Sequence, residues 1–436
     1  MRVRHRTQNL IAPPTPDLAG LAIAAPARGR DRSAGSAVPR RRSRIVLYSH
    51  DTMGLGHKRR NLLIAQALGR ADLEADILLI SGMGEANAMP LPSGIDTLTL
   101  PALSKRADGQ YQARRLSLEL KEIVRLRSQL ILATVKNFRP DLLIVDNVPR
   151  GAIRELDATL DYVRRHLPTR CVLGLRDVLD TPATVRRDWH RAENMAAIRR
   201  YYDTVWIYGD PSIYDLRREY GFPADIVAKM RPLGYLDPRV RASTAIAHSQ
   251  IQQLGLPDTD DLILCQVGGG QDGAALATAF AQAIFPAATT GVLLMGPFMP
   301  PEAQRQLRTL AQDNPRLRLV DHLAEPTLLL AQASRVVAMG GYNTTCEILA
   351  YQKHALVVPR VSPRQEQWIR ADRLHRHGLI DVLHPADLSP DCITQWLHQP
   401  VASDSPPPIN LSGLDNLVVE LQKLLAVGAM PDSQAC

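Results

Sequence analysis

The chain of 436 residues is long enough for two domains of ordinary size, and its 45% hydrophobic and 22% charged residues are typical of a soluble globular enzyme. Its five cysteines are scattered, with no Cys-x-x-Cys pair and no Cys/His ligand spacing, which argues against a disulfide framework and a structural zinc site. The net charge of +8 comes from one end: residues 1–44 hold ten of the 52 basic and two of the 44 acidic residues, which leaves 42 of each elsewhere.

A basic tail on a neutral body is not the pattern of a nucleic-acid-binding domain, so we expect no nucleic acid partner. Residues 1–43 are rich in Pro, Ala, Gly and Ser and are predicted to be disordered. The sequence shows no evident signal peptide, and its longest uncharged stretch is interrupted by polar residues. We therefore expect a cytoplasmic protein, with peripheral contact to the anionic inner face of a membrane as a further expectation.

From residue 44 onward, strand and helix patterns alternate, which indicates parallel sheets covered by helices on both faces. Strands are predicted at residues 45–49, 75–81, 95–100, 142–145, 171–175 and 205–208, and helices at 58–70, 116–138 and 184–202. The helix at 116–138 carries basic residues that suit either an anionic lipid surface or a solvated face opposite the core. Asp146, at the end of a strand, suits either capping or contact with a substrate.

A Pro- and Gly-containing segment at residues 230–238 predicts the connection between two domains. A second alternating set follows, with strands at 262–267, 292–295 and 317–320 and helices at 274–288 and 302–312. A Pro/Ser spacer at 403–408 and a helix at 414–425 end the chain. The predicted fold is α/β: two Rossmann-like domains, residues 44–232 and 233–402, whose parallel sheets face each other across a cleft, followed by residues 403–436 as spacer and helix.

The first strand-to-helix turn, SHDTMGLGHKRRN, contains Gly54 and Gly56, which permit a tight loop, and His57 at the start of the next helix. A neutral histidine there is a candidate general base for a hydroxyl group, or simply a cap of the helix. His50 and Asp51 are alternative bases or orienting residues.

The corresponding turn of the second domain, QVGGGQDGAA, has three consecutive glycines, Gly268, Gly269 and Gly270. They leave backbone amides bare for a diphosphate or another substrate group, or form a flexible turn. The sequence is neither a Walker loop nor a dinucleotide fingerprint.

Residues 335–378 predict a strand, the turn Gly340-Gly341, a helix, a second strand and a helix opened by the pair Glu366-Gln367. The first of these helices is expected to begin with three residues of N-cap type, Asn343, Thr344 and Thr345. A helix N-terminus favours phosphate, and Glu347, expected in the first helical turn, can accept hydrogen bonds from the two vicinal hydroxyls of a ribose. The segment therefore predicts a nucleotide-sugar pocket.

These motifs, GLGH, GGG and GGYNTTCEIL followed by ALVVPR and EQWIRADRL, resemble the inverting glycosyltransferases of the GT-B fold. The nearest group is glycosyltransferase family 28, which includes the peptidoglycan N-acetylglucosaminyltransferase that makes lipid II and the diacylglycerol glycosyltransferases. The resemblance covers roughly residues 44–385. It departs from the family where Leu55-Gly56 replaces a glycine pair.

The resemblance implies a donor site in the second domain and an acceptor site in the first. Glu347 would hold the ribose of a uridine nucleotide, and Asn343, Thr344, Thr345 and the amides after Gly341 would lie along the diphosphate. Glu366 and Gln367 would bind the donor sugar, and the loop from Gly54 to His57 would face the acceptor. Arg360 and Arg364 would either neutralise the leaving phosphate or bind surface carboxylates.

The predicted function is therefore that of a metal-independent inverting hexosyltransferase that moves sugar from a UDP-sugar to a lipid-linked or saccharide acceptor, as in polysaccharide biosynthesis, with His57 as base. The UDP-sugar is a co-substrate, and no cofactor or metal is expected. The Asp-x-Asp pattern at residues 258–261 lies in a polar loop and is interpreted as solvated. The rival functions are a non-hydrolysing sugar-nucleotide epimerase and a catalytically silent nucleotide-sugar-binding subunit.

Overall fold

A computed structural model describes residues 41–51, 56–71, 73–82, 91–105, 110–242, 249, 251–256, 261–323, 325–400 and 408–427. Residues 1–40 of the predicted basic tail, Gly54, the Asp-x-Asp pattern up to residue 260 and most of the Pro/Ser spacer lie outside these residues. Ser43, predicted to lie in the tail, is the first residue of a strand. Within the described part of the chain, no helix is long and apolar enough to cross a bilayer.

The first half of the chain forms a seven-stranded sheet in the order β3-β2-β1-β6-β7-β8-β9, in which every pair of neighbours is parallel. Its strands are β1 (Ser43–Ser49), β2 (Ala75–Ser81), β3 (Ile95–Thr99), β6 (Leu142–Asp146), β7 (Arg170–Arg176), β8 (Thr204–Tyr208) and β9 (Met230–Pro232). The central strands are buried throughout, because helices cover both faces of a parallel sheet. A separate antiparallel hairpin is formed by β4 (Leu103–Lys105) and β5 (Tyr111–Ala113).

Eight α-helices are described up to residue 242: α1 (Gly56–Arg70), α2 (Leu120–Phe138), α3 (Asp157–His166), α4 (Pro182–Arg191), α5 (Asn194–Tyr201), α6 (Leu216–Glu219), α7 (Ala224–Val227) and α8 (Arg239–Ala242).

The second half forms a six-stranded parallel sheet in the order β12-β11-β10-β13-β14-β15. Its strands are β10 (Asp261–Gln266), β11 (Thr289–Leu294), β12 (Leu317–Val320), β13 (Arg335–Ala338), β14 (His354–Val357) and β15 (Asp381–Val382). The described helices are α9 (Ala274–Gln282), α10 (Pro301–Asp313), α11 (Thr327–Gln332), α12 (Tyr342–Ala350), α13 (Glu366–Arg376), α14 (Pro390–His398) and α15 (Gly413–Val427).

The two halves are packed against each other through a shared core. One hydrophobic cluster runs from Ile45 in the first sheet through Tyr235 to Val336 in the second, and it includes Leu417 of the last helix. Helix α1 packs against both α12 and α15, so the end of the chain returns to the first half. A fully buried ion pair between Asp177 and Arg370 also joins the halves, with a shortest N–O distance of 2.6 Å.

The predicted fold class is confirmed: two parallel sheets covered by helices. Four local predictions are wrong. Residues 184–202 form two helices, because Glu193 adopts a left-handed backbone (φ 55°) between them. Residues 230–232 of the predicted linker form strand β9. The helix at 116–138 begins only at Leu120, and the helix at 274–288 ends at Gln282. The hairpin, strand β15 and helices α3, α6, α7, α8, α11 and α14 were not predicted.

Candidate functional site

A cavity of about 670 Å³ lies where the carboxyl ends of the two sheets face each other. Residues that end or follow strands of the first sheet line one wall, among them His50, Asn147 and Arg176. The glycine turn after β10 and the start of α12 line the opposite wall. The cavity therefore stands at the place where open α/β sheets bind ligands.

His57 lies in the first turn of α1 and lines the cavity, with 18% of its side chain exposed. Its Nδ1 atom is 2.5 Å from Oδ2 of Asp146, the last residue of β6. A proton on Nδ1 donated to this carboxylate leaves Nε2 with a free lone pair, which is the form that a general base requires.

Arg60, one turn along α1, holds the same carboxylate. Its Nε and Nη2 atoms donate to Oδ1 of Asp146 at 2.9 and 2.6 Å, a two-pronged contact that fixes the orientation of the carboxylate. Burial alone would raise the pKa of Asp146, but the charge of Arg60, and after it His57, holds that pKa well below its usual range. Asp146 therefore stays ionised while it orients the imidazole.

The sequence analysis gave Asp146 only a capping or substrate-contact role and did not single out Arg60. The described side-chain contacts of Asp146 are with His57 and Arg60, so a capping role for Asp146 is wrong. The available signal was an aspartate that ends a buried strand next to the strand preceding GLGH. The pairing of this strand with β1 could not be deduced, because 92 residues, 50–141, lie between the two strands.

The alternative base Asp51 does not face the cavity. Its carboxylate is 1% exposed and accepts hydrogen bonds from Ser49 Oγ, Ser81 Oγ and the backbone N–H of Lys58. These contacts connect the start of α1 to the ends of β1 and β2, so the role of Asp51 in this structure is structural. His50 does line the cavity, with its ring 4.8 Å from that of His57.

Gly56 lines the cavity beside His57, and its carbonyl oxygen accepts a hydrogen bond of 3.0 Å from Nδ2 of Asn343. This bond crosses from one half of the molecule to the other. It brings the predicted acceptor-side loop and the predicted donor-side helix into direct contact.

The glycine turn Gly268–Gly270 lines the opposite wall. Gly268 and Gly270 have positive φ angles, 62° and 86°, which favour glycine. A Cβ at Gly270 would lie 2.3 Å from the carbonyl oxygen of Met295, so no other residue fits there without a shift of the backbone. The turn therefore needs at least this glycine for its shape, and its backbone borders the cavity.

Gly341 is the N-cap of α12, and the helix starts at Tyr342. The three predicted N-cap residues thus lie inside the first turn, which corrects their predicted position. Gly341, Asn343 and Thr344 line the cavity, where the first amides of the helix have no partner within the helix. Two predicted residues do not line it: Gly340 and Thr345, which bond to each other through the Thr345 hydroxyl.

Glu347 lies in the second turn of α12, not the first, and is 1% exposed. It does not line the cavity. Its Oε1 atom is 3.3 Å from Nη2 of Arg59 and 3.4 Å from Nη2 of Arg241, which places it in a buried ionic cluster with Glu325. Arg59 does line the cavity and stands between it and this cluster. A ribose contact by Glu347 stays a prediction.

The pair Glu366-Gln367 opens α13 as predicted and lines the cavity with Arg360. Arg360 donates to Glu366 at 2.7 Å and to Asp272 at 3.1 Å, and its backbone N–H donates to Oε1 of Gln367. This arginine therefore binds carboxylates of its own half in this structure.

Arg364 differs from Arg360 in crossing between the halves. Its Nη1 atom donates to Asp180 at 3.0 Å and to Asp188 at 2.8 Å, both of which line the opposite wall. Among the described residues, no cluster of three or more His, Cys, Asp or Glu side chains is arranged to hold a metal ion.

No model of a known protein family matches the sequence, and no curated protein matches it. Solved structures do match. CalG4, the calicheamicin glycosyltransferase, aligns over 90% of this chain and 96% of its own with a TM-score of 0.51 and 15% identity. The UDP-GlcNAc 2-epimerase from Methanocaldococcus jannaschii aligns over 88% and 99% with a TM-score of 0.56 and 12% identity. The UDP-GlcNAc 2-epimerase from Neisseria meningitidis, solved bound to UDP-GlcNAc, aligns over 88% and 100% with a TM-score of 0.54 and 12% identity.

The chain has the GT-B fold. It shares the arrangement of two sheets and the cleft between them with both transferases and epimerases. At identities of 12–15%, this likeness concerns the fold, and membership of family 28 stays a prediction.

Proposed function

We propose that the protein is an inverting glycosyltransferase that moves a hexose-type sugar from a UDP-sugar to a hydroxyl group of an acceptor. The observation that carries this proposal is the His57–Asp146 pair at the cavity, opposite the glycine turn after β10. A histidine with an ionised carboxylate on Nδ1 and a free Nε2 is suited to removing a proton from a hydroxyl group.

In the proposed reaction, the acceptor oxygen attacks the anomeric carbon from the face opposite the diphosphate. The bond between that carbon and the diphosphate oxygen breaks, the new glycosidic bond forms with inversion, and the acceptor proton passes to Nε2 of His57. Asp146 stabilises the imidazolium that results. General base catalysis of this kind contributes typically about 10²- to 10⁴-fold in rate.

The leaving UDP gains negative charge, which the proposed donor wall can stabilise without a metal. Amides of the turn Gly268–Gly270 and of the first turn of α12 border the cavity, and the positive end of the α12 dipole points the same way. We propose that Asn343, Thr344 and the amide after Gly341 contact the diphosphate, and that Glu366 and Gln367 contact the sugar.

The second candidate is a sugar-nucleotide epimerase, since two epimerases share the fold. Epimerisation needs acid and base groups beside the sugar. The carboxylates that line the cavity are each paired with an arginine: Asp272 and Glu366 with Arg360, and Asp180 and Asp188 with Arg364. His50 and His322 also line the cavity, but His57 is the one for which the contact with an ionised carboxylate, Asp146, has been described above. This pair favours transfer.

We further propose that the acceptor is lipid-linked and that the protein works at the cytoplasmic face of a membrane. Leu116, Leu118, Leu126 and Leu130, on and just before α2, are more than a third exposed. Exposed Arg115, Lys121 and Arg125 lie among them, together with the exposed carboxylates of Glu119 and Glu122. Exposed leucines beside basic residues are suited to a lipid surface. Arg127, by contrast, is fully buried against Glu155 and does not belong to this surface.

One experiment separates these candidates. The protein is incubated with a panel of UDP-sugars, with and without lipid-linked and saccharide acceptors, and the products are identified by mass spectrometry. Transfer predicts UDP release that depends on an acceptor, together with a glycosylated acceptor. An isomerised UDP-sugar without an acceptor would establish epimerisation, and binding without turnover would establish a silent subunit.

A further inference from the structure

Five of the described residues that line the cavity are arginines, and four of them are paired with carboxylates. These four are Arg59, Arg60, Arg360 and Arg364. The fifth, Arg176, makes no ion pair and no side-chain hydrogen bond to any residue within the described ranges. Its Nε atom is buried without a partner.

Arg176 ends strand β7 in the first sheet, on the strand next to the one that ends in Asp146. Burial lowers the pKa of Arg176 to about 10, and the nearby cations Arg60 and Arg370 act in the same direction. Arg176 is half-buried and makes no ion pair, and the carboxylates of Glu366 and Asp146 only partly offset the effect of burial and of the two nearby cations on its pKa. A cation held in this way is costly to the fold. Its surroundings are therefore suited to an anion that enters the cavity.

The same wall carries two further polar groups without partners. The Oδ1 atoms of Asn147 and Asn194 are buried and accept no hydrogen bond from the part of the chain that the structure describes. Both residues line the cavity, together with the apolar side chains of Val185 and Trp189. An arginine with two carboxamides recognises a molecule that presents an acidic group and hydroxyls.

We propose that Arg176 receives a carboxylate or phosphate group of the acceptor, while Asn147 and Asn194 accept hydrogen bonds from acceptor hydroxyls. The inference rests on the proposed transfer reaction and narrows its acceptor to an acidic class. The anion belongs to the acceptor because Arg176 stands on the wall that also presents His57. The amides that suit a diphosphate belong to the opposite half.

The test compares wild type with Arg176→Gln and Arg176→Lys. Arg308→Gln is the charge-matched control, since Arg308 is exposed on α10 and does not line the cavity. The acceptors are matched sets: a hexose, its uronic acid and its phosphate, free and as aryl glycosides. We expect Arg176→Gln to lower kcat/KM for the acidic acceptors by about tenfold or more, with the neutral acceptors and the Kd for UDP within about twofold of wild type. Arg176→Lys should be intermediate, because it keeps the charge but not the fork geometry.

A weaker Kd for UDP in Arg176→Gln would overturn the proposal by assigning the arginine to the donor. Equal losses for acidic and neutral acceptors, or no loss at all, would also overturn it. Thermal unfolding shows whether the variant is folded. If Arg176 serves a ligand rather than the fold, the Tm of Arg176→Gln should be no lower than that of wild type.

Calorimetric titration of the uronic acid and the matched hexose in the presence of UDP needs no turnover. A preference of wild type for the acid that Arg176→Gln loses would support this inference even if the transfer assay failed. No preference in wild type would overturn it even if transfer succeeded.

Discussion

The Nδ1 atom of His57 lies 2.5 Å from Oδ2 of Asp146, although 89 residues separate them in the chain. The two side chains come together because β6 pairs directly with β1, the strand that leads into α1. The imidazole is thereby held at the cavity by a carboxylate that Arg60 fixes from the other side.

This pairing predicts that His57 and Asp146 act as a unit. We expect His57→Ala and Asp146→Asn each to lower kcat by about 10²- to 10⁴-fold, and the double variant to be little worse than the slower single variant. Steady-state kinetics with a saturating donor measures this. Additive losses in the double variant would contradict a joint role.

The depressed pKa of Asp146 leads to a prediction about how the free energy of unfolding depends on pH. An aspartate whose folded pKa is depressed contributes stability that is present above its unfolded pKa of about 3.9 and is lost as the pH falls below that value. Chemical denaturation of wild type and Asp146→Asn should therefore give a difference in unfolding free energy that is constant from about pH 6 to 5 and shrinks below about pH 4. A difference that does not change with pH would argue against an ionised Asp146.

Gly270→Ala tests whether the glycine turn needs its backbone shape. The φ of 86° and the 2.3 Å approach to the Met295 carbonyl oxygen predict a loss of about 1–3 kcal/mol in stability and weaker binding of UDP. Gly69→Ala is the matched control, because its Cβ would meet Ile95 at an ordinary 3.6 Å within α1. Equal effects of the two changes on thermal unfolding would count against the strain argument.

The predicted ribose role of Glu347 has a direct test that separates it from a purely structural one. UDP and 2′,3′-dideoxy-UDP differ only in the two ribose hydroxyls. If Glu347 binds these hydroxyls, wild type prefers UDP, and Glu347→Gln loses most of that preference. Arg59→Gln, which frees the carboxylate from its 3.3 Å ion pair, should keep the preference. A preference unchanged in Glu347→Gln, measured by calorimetry, would leave Glu347 as a structural member of its cluster.

The ion pair that joins the halves gives a prediction about stability. Asp177 and Arg370 are both about 1% exposed, so Asp177→Asn leaves a buried arginine uncompensated and should cost about 3–5 kcal/mol. Arg199 and Asp225 form an exposed pair within the first half, so Asp225→Asn should cost much less unfolding free energy than Asp177→Asn. Denaturant unfolding of the two variants measures both losses. A loss for Asp177→Asn no larger than that for Asp225→Asn would contradict a stabilising role of the Asp177–Arg370 pair.

The sequence was sufficient for the fold because its signals are local. Apolar runs such as Leu142–Asp146 indicate buried strands, and the alternation with helices then requires parallel sheets. The predicted linker at residues 230–238 was wrong only at its start, because the three-residue edge strand Met230–Pro232 has too little pattern to be recognised.

The site was predictable only in part, because its partners are distant in sequence. His57 and the glycine turn could be named from residues next to them, and both line the cavity. Asp146 and Arg176 depend on strand order, which no local pattern reveals. For Glu347, the neighbouring residues in sequence suggested contact with a ligand. In the structure, two arginines from helices distant in sequence pair with its carboxylate, which no local pattern reveals.

The most direct test of the account is acceptor-dependent UDP release by wild type and His57→Ala, with the Kd for UDP measured on the same preparations. The account predicts that wild type releases UDP only with an acceptor, and that His57→Ala loses about 10²-fold or more of this rate while binding UDP as wild type does. Equal rates in both proteins, or UDP release by wild type that does not depend on an acceptor, would contradict it.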